Sequence, residues 1–101
     1  VVEASAEEAD EALQTLIDTD SGARRIGEFG IGTNSGITRF TNSMLFDEKI
    51  GGTIHIALGL PIPGTGGTNR SAIHYDMLKD LRLGGAIYLD GEQFQKDGVF
   101  I

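Results

Sequence analysis

The chain contains no cysteine among its 101 residues. This absence excludes both a disulfide framework and a metal site built from thiolates. Any metal ion would have to be held by histidine, aspartate and glutamate, a donor set that suits zinc, cobalt, manganese or a similar divalent ion. Histidine is itself scarce, because His55 and His74 are the only two in the sequence. The surroundings of these two imidazoles therefore decide whether a metal site is plausible.

Basic residues and long apolar runs are also scarce. Eight lysines and arginines stand against 15 aspartates and glutamates, which gives a formal net charge of −7. Such a charge argues against nucleic acid and against an anionic membrane surface as partners. No apolar run approaches the roughly 18 to 20 residues of a membrane span, and no basic start followed by an apolar stretch indicates a signal peptide. Together these absences predict a soluble, cytoplasmic protein.

A chain of 101 residues with 40% hydrophobic content is sufficient for one small domain, which we expect to cover residues 1–101. The sequence begins Val1-Val2-Glu3-Ala4, without an initiator methionine, and we expect these residues to lie in a strand. On this basis the chain is interpreted as a piece of a longer protein.

Residue spacing predicts one helix followed mainly by strands. Ser5 and Glu8 have the spacing of a capping box, so a helix is predicted to start there. Apolar residues then recur at spacings of three and four, as in an amphipathic helix. Further along, apolar patterns predict strands over residues 27–32, 53–58 and 71–77, and a short helix over residues 44–50.

The end of the sequence is typical of a β-meander. Short alternating segments from residue 86 onward are separated by Asp90-Gly91 and by Asp97-Gly98, and Asp-Gly is a preferred pair for a type I′ hairpin turn. The predicted fold class is therefore α+β. We expect a mixed or antiparallel sheet with one N-terminal amphipathic helix and short helical turns, ending in the meander.

The two histidines lie in predicted strands together with two carboxylates. His74 and Asp76 are two residues apart, so on a strand they share a face and could hold one divalent ion between them. His55 lies in a second apolar strand, and Glu28 in a third. Because both imidazoles are in core strands, we expect both to be shielded from solvent. The four residues are a plausible ligand set for one or two hydrolytic metal ions.

Simpler interpretations of the same residues stay open. A histidine in a core strand is more often a hydrogen-bonded structural residue than a metal ligand. Glu28 at a strand end would ordinarily be solvated or ion-paired, and Asp47-Glu48 would ordinarily form a solvated helical turn. The His74–Asp76 pair could also be a buried ionic hydrogen bond.

Four ordered blocks of sequence resemble the C-terminal part of the thermophilic metalloaminopeptidases, the family of aminopeptidases T, S and II. The blocks are IGEF at 26–29, LFDEK at 45–49, HIALG at 55–59 and AIHYDM at 72–77. The resemblance covers nearly the whole chain, so the chain is interpreted as the C-terminal, metal-binding portion of such a protein, with the upstream domain absent.

The resemblance implies specific chemistry at these blocks. It implies that Glu28, His55, His74 and Asp76 bind a pair of divalent ions, with zinc or cobalt expected. The implied reaction is the hydrolysis of N-terminal residues from peptides by water that the metal ions activate. Family members are typically dimers, so we also expect the chain to form a homodimer.

Two departures from the family pattern affect the expected activity. The family has a further metal-binding glutamate well upstream of the IGEF block, and this chain has none in that place, so the isolated piece is expected to be inactive. The family also has a tyrosine, thought to assist catalysis, at the position of Ile62. Isoleucine cannot donate a proton or a hydrogen bond. No catalytic residue is therefore assigned, and the alternatives are a non-catalytic homologue that acts as a binding or assembly module and a purely structural domain.

Overall fold

The computed structural model describes residues 1–101 and contains two helices and six strands. In chain order they are α1 (Asp10–Ile17), β1 (Ile26–Ile31), α2 (Met44–Asp47), β2 (Thr53–Gly59), β3 (His74–Asp80), β4 (Ala86–Leu89), β5 (Glu92–Lys96) and β6 (Val99–Phe100). Two three-stranded sheets have the strand orders β1-β2-β3 and β4-β5-β6. The predicted α+β fold class, with one longer helix near the start and strands at the end, is confirmed.

The chain divides into two compact units. The first comprises Val1–Phe29 and Ile56–Asp76, and the second comprises Gly30–His55 and Met77–Ile101. In the first unit the buried apolar residues are Ile17, Ala23, Ala57 and Leu58. In the second unit Ile50 and Leu81 are buried together with several polar residues, namely Asp47, Thr53, His55 and Gln95.

Strands β1 and β2 run antiparallel. The Gly32 N–H donates to the Thr53 carbonyl just past the end of β1, and the Gly59 N–H donates to the Arg25 carbonyl just before β1 begins. The end of one strand therefore pairs with the start of the other, which is the antiparallel arrangement. β2 is the central strand of this sheet and most of its residues are buried, whereas β3 is an edge strand with no fully buried residue.

The N-terminal segment contains neither the predicted strand at Val1–Ala4 nor the predicted helix start at Ser5. Residues 1–9 form no strand, and α1 begins at Asp10 rather than after the capping box at Ser5. The reason is a local hydrogen bond: the Ala6 N–H donates to Asp10 Oδ1, and Ala9 adopts a left-handed conformation with φ of 56°. The chain therefore turns back immediately before the helix, and Ser5 makes no cap.

Strand β3 begins three residues later than predicted, at His74. The Asp20 carboxylate accepts hydrogen bonds from the Ser71 hydroxyl and from the Ala72 N–H, both at 2.8 Å. These bonds hold the residues before His74 against the turn that follows α1. The segment is therefore fixed as a loop, although its composition is typical of a strand.

The C-terminal meander is confirmed. β4 pairs antiparallel with β5 from Ala86↔Lys96 to Leu89↔Glu92, and β5 pairs antiparallel with β6. Asp90 and Gly91 both have positive φ, of 49° and 88°. A type I′ turn requires positive φ at both of its central residues, which is why this dipeptide joins the two strands.

Candidate metal centre

Three of the four predicted ligands come together in the first unit. His74 Nε2 lies 3.2 Å from Asp76 Oδ2 and 3.8 Å from Glu28 Oε2. One ligand atom from each of the three residues lies within 4.8 Å of the others. Glu28 comes from β1, whereas His74 and Asp76 come from β3. An imidazole nitrogen and two carboxylates at such separations can share one small cation.

Strand geometry explains why His74 and Asp76 face the same side. Alternate residues on a strand project from one face, and the two residues occupy the first and third positions of β3.

The expectation that His74 is shielded from solvent is wrong, because its side chain is 33% exposed. β3 is an edge strand, so its side chains are less covered than those of the central strand β2.

A backbone carbonyl sets the tautomer of His74. Nδ1 lies 2.5 Å from the Leu60 carbonyl oxygen. A carbonyl can only accept, so Nδ1 carries the proton and donates it. In the neutral imidazole, Nε2 then presents its lone pair towards Asp76 and Glu28. This arrangement, with one nitrogen anchored and the other available, is typical of histidines that bind metals.

The same surroundings raise the pKa of His74. The hydrogen bond to the Leu60 carbonyl is the largest cause, partial burial opposes it, and the negative charges of Asp76 and Glu28 add to it. A proton on Nε2 relieves the repulsion between the lone pair and the two carboxylates.

The surroundings of Asp76 test whether a cation would fit between Glu28, His74 and Asp76. Its Oδ1 atom is buried and has no hydrogen-bond partner. Burying a carboxylate oxygen without a donor is unfavourable, and a bound cation would compensate for it. Two carboxylates and one neutral imidazole are also a donor set that divalent transition ions accept. The residues present therefore fit the divalent metal that their chemistry implies.

His55 belongs to the second unit. It lies on the central strand β2 and is only 7% exposed, so the expectation that it is shielded is confirmed. Its Nε2 atom lies 3.9 Å from Glu48 Oε2. Space for the imidazole depends on Gly30, since a Cβ atom there would lie 2.0 Å from His55 Cε1. The assignment of His55 to one site with the other three ligands stays a prediction.

Glu48 is a candidate metal ligand that was not predicted from the sequence. The helical turn of Asp47 and Glu48 was expected to be solvated, but Asp47 is buried and the Glu48 side chain is only 14% exposed. Asp47 accepts hydrogen bonds from the N–H and hydroxyl of Thr41, which hold the preceding segment against it. Burial acts to raise the pKa of Asp47, but these and other hydrogen bonds outweigh it, so the pKa lies below its ordinary value. The signal that could have indicated Glu48 was its position within the LFDEK block.

Ile62 lies on the loop between β2 and β3, outside the carboxylate–imidazole cluster. Its side chain is 47% exposed, and its carbonyl accepts hydrogen bonds from the N–H and hydroxyl of Thr65. An aliphatic side chain there can neither donate nor accept a proton. Ile62 therefore adds no acid–base group to the cluster of Glu28, His74 and Asp76.

Comparisons with known proteins identify a family. The family model described as thermophilic metalloprotease (M29) matches residues 1–100. The "Aminopeptidase 2" of Geobacillus stearothermophilus is 32% identical over 114 aligned positions, which cover 92% of this chain and 27% of that protein. The chain thus spans about a quarter of the length of this relative. No solved structure matches significantly.

No helix of the chain is long and apolar enough to cross a membrane.

Proposed function

The chain belongs to the M29 family of thermophilic metalloproteases, and from this premise we propose that it is the C-terminal, metal-binding portion of an aminopeptidase. The proposed reaction is the removal of N-terminal residues from peptides. Residues 1–101 would act as one metal-binding module of a longer protein, since the chain spans 27% of the length of Aminopeptidase 2. The chain alone is proposed to be inactive.

The observation that carries this proposal is the arrangement around His74. Its Nε2 faces Asp76 and Glu28, while its Nδ1 is anchored on the Leu60 carbonyl. We propose that these three residues bind one divalent ion, and that His55 contributes to the complete site. Glu48, 3.9 Å from His55, is a further candidate.

The chemistry that follows is metal-assisted hydrolysis. A divalent ion held by these residues would polarise a peptide carbonyl and lower the pKa of a water molecule. The protein's own part is to hold the donor atoms in place. The Leu60 carbonyl fixes the ring of His74, and the strand geometry of β3 fixes Asp76 beside it.

The identity of the metal, the location and the oligomeric state are also proposed. Zinc or cobalt is proposed because the donor set contains nitrogen and oxygen but no sulfur. A cytoplasmic location is proposed from the absence of cysteine and the acidic composition. A homodimer is proposed because large apolar side chains are exposed, among them Leu45, Phe46 and Leu83.

Ile62 favours a second candidate function. The family pattern has a tyrosine at this position, and Ile62 offers no hydroxyl. A homologue that keeps the metal-binding fold but has lost hydrolysis, and that acts as a binding or assembly module, is therefore the alternative. It differs from the first proposal in the activity of the longer protein but not in metal binding.

Calorimetric titration of zinc and cobalt into the metal-free chain tests the metal centre. We expect binding at micromolar or lower concentrations, and we expect His74→Ala and Asp76→Ala each to abolish it. Glu92→Ala is the matched control, because it removes an exposed carboxylate from β5 in the second unit. The control should leave binding unchanged.

The outcomes separate the functional classes. Binding that both substitutions abolish supports the metal centre, and a peptidase assay of the longer protein then distinguishes the enzyme from the non-catalytic homologue. If neither this chain nor the longer protein binds a divalent ion, the histidines are structural residues and the proposal is wrong.

A further inference from the structure

A polar cleft in the first unit lies between the turn that follows α1 and the loop that precedes β3. Its volume is about 450 Å³, and its lining includes Arg25, Arg70, Thr68 and Asn69. None of the chain's 15 acidic residues lines it, although two of the eight basic residues do. The side chains that line this cleft therefore carry two positive charges and no negative charge, in a chain of net charge −7.

Neither arginine of the cleft has an acidic partner. The arginines that form ion pairs are Arg24, with Asp18, and Arg82, with Asp80. No carboxylate oxygen lies within 4.0 Å of the guanidinium of Arg25 or Arg70. Both side chains thus keep their donors available, and a guanidinium presents those donors as a planar fork that matches the oxygens of a carboxylate or phosphate.

The walls of the cleft are held together by hydrogen bonds. The Asn69 side-chain amide donates to the Gly22 carbonyl at 3.0 Å and to the Arg25 carbonyl at 3.1 Å, across 44 to 47 residues of sequence. The Asp20 carboxylate accepts further hydrogen bonds, from the Gly22 N–H on one wall and from the Ser71 hydroxyl beside the other. The backbone that carries the two arginines is therefore fixed before any ligand arrives.

From these observations we propose that the cleft binds a small oxyanion, with Arg25 and Arg70 as the charged ligands. The oxyanion would be either a phosphate group or the terminal carboxylate of a short peptide, since both present paired oxygens of negative charge. The hydroxyl of Thr68 is an additional donor in the same lining. This site shares no residue with the Glu28–His74–Asp76 cluster, so it does not depend on the proposed metal chemistry.

Titration of metal-free protein with three probes tests the proposal. The probes are inorganic phosphate, N-acetyl-dialanine with a free carboxylate, and the same peptide as its amide. Binding is followed by the chemical shifts of the Arg25 and Arg70 backbone amides and side-chain Nε–H groups. Binding of phosphate alone identifies a phosphate site, whereas binding of the peptide acid but not the amide identifies a carboxylate site.

Substitutions then attribute the binding to the cleft. Arg25→Gln and Arg70→Gln are each expected to weaken binding about tenfold, which corresponds to the loss of one hydrogen-bonded charge interaction. Arg25→Lys should weaken it less, since the charge is kept and only the fork is lost. Arg39→Gln is the matched control, because it removes one exposed positive charge outside the cleft.

His74→Ala separates this site from the metal centre and should leave oxyanion binding unchanged. Thermal melts of each variant confirm that the fold is retained. The proposal is overturned if neither phosphate nor the peptide acid binds. It is also overturned if the peptide amide binds as well as the acid, or if Arg25→Gln and Arg70→Gln bind as tightly as Arg39→Gln.

Discussion

His74 Nε2 and Asp76 Oδ2 lie 3.2 Å apart on one face of β3. The other imidazole nitrogen of His74 donates to the Leu60 carbonyl, so the nitrogen that faces Asp76 is the one with the lone pair. That nitrogen can accept a proton, and it is also the donor atom that the proposed divalent ion would use. A proton and the proposed ion would therefore compete for it.

Asp76→Asn is expected to lower the pKa of His74 in the metal-free protein. The Leu60 hydrogen bond and Glu28 keep raising that pKa, but the charge of Asp76 no longer contributes. An NMR titration of the His74 Cε1–H signal measures the shift directly. Glu92→Gln, which removes a carboxylate on β5, should leave the His74 pKa unchanged. An equal pKa in Asp76→Asn and in the parent chain would contradict the assigned pairing.

Of the strands that carry the candidate residues, β2 was predictable because most of its residues are apolar, whereas β3 was predicted to start three residues before His74. β2 was expected over 53–58 and is Thr53–Gly59, and the period of two correctly placed His74 and Asp76 on one face. The start of α1 was not predictable from the capping-box spacing. The Asp10 side chain accepts from the Ala6 N–H, and this competing local bond moves the start of the helix.

Glu48 shows why the complete site could not be derived from spacing alone. Burial of a charged helical turn depends on what packs against it, and here Thr41 is held against Asp47 by two hydrogen bonds to its carboxylate. Such a contact between a loop and a helix leaves no periodic signal in the sequence. The same applies to the exposure of His74, which depends on the edge position of β3.

Gly30→Ala is expected to displace the His55 imidazole and to destabilise the protein. A Cβ atom at position 30 would lie 2.0 Å from His55 Cε1 and 2.4 Å from Nε2. Overpacking of this kind costs about 1 to 3 kcal/mol in free energy of unfolding. Urea denaturation measures the loss. Gly36→Ala is the control, since its nearest neighbour would be Asn34 Oδ1 at 3.1 Å and the residue is exposed. Equal stabilities for the two variants would contradict the steric role of Gly30.

Gln95→Met is expected to stabilise the protein. The Gln95 side chain is fully buried on β5, and neither its amide oxygen nor its amide nitrogen has a hydrogen-bond partner. Replacing a buried unpartnered amide by an apolar side chain of similar shape should raise the free energy of unfolding by about 1 to 2 kcal/mol. Gln93→Met on the same strand, where burial is only partial, should change it by less than about 0.5 kcal/mol. A destabilised Gln95→Met would show that the amide is satisfied.

Asp20→Asn is expected to lower the melting temperature at neutral pH and to have less effect in acid. The hydrogen bond from the Ala72 N–H is the largest cause that holds the pKa of Asp20 below its usual 3.8, followed by the Ser71 hydroxyl. A carboxyl with a lowered folded-state pKa stabilises the fold above the unfolded pKa, and this contribution is lost as the pH falls through the folded value. Thermal melts at pH 7 and pH 3 measure the difference.

Asp90→Asn is the matched control for Asp20→Asn. It removes the same charge from a hairpin turn, and asparagine tolerates the positive φ of 49° found there. Its effect on the melting temperature should be small at both pH values. An Asp20→Asn effect that is as large at pH 3 as at pH 7 would show that the hydrogen bonds matter but the charge does not.

Ile62→Tyr, made in the longer protein, is expected to raise aminopeptidase activity at least tenfold, about 1.4 kcal/mol in transition-state stabilisation. The side chain of Ile62 is 47% exposed on the loop between β2 and β3, so a larger ring can be accommodated without repacking the core. The gain should come from the hydroxyl, which can donate a hydrogen bond or a proton. Ile62→Phe is therefore the matched control and should give no gain. Equal rates for the two variants would exclude the hydroxyl as the missing group, and no activity in any variant would favour the non-catalytic homologue.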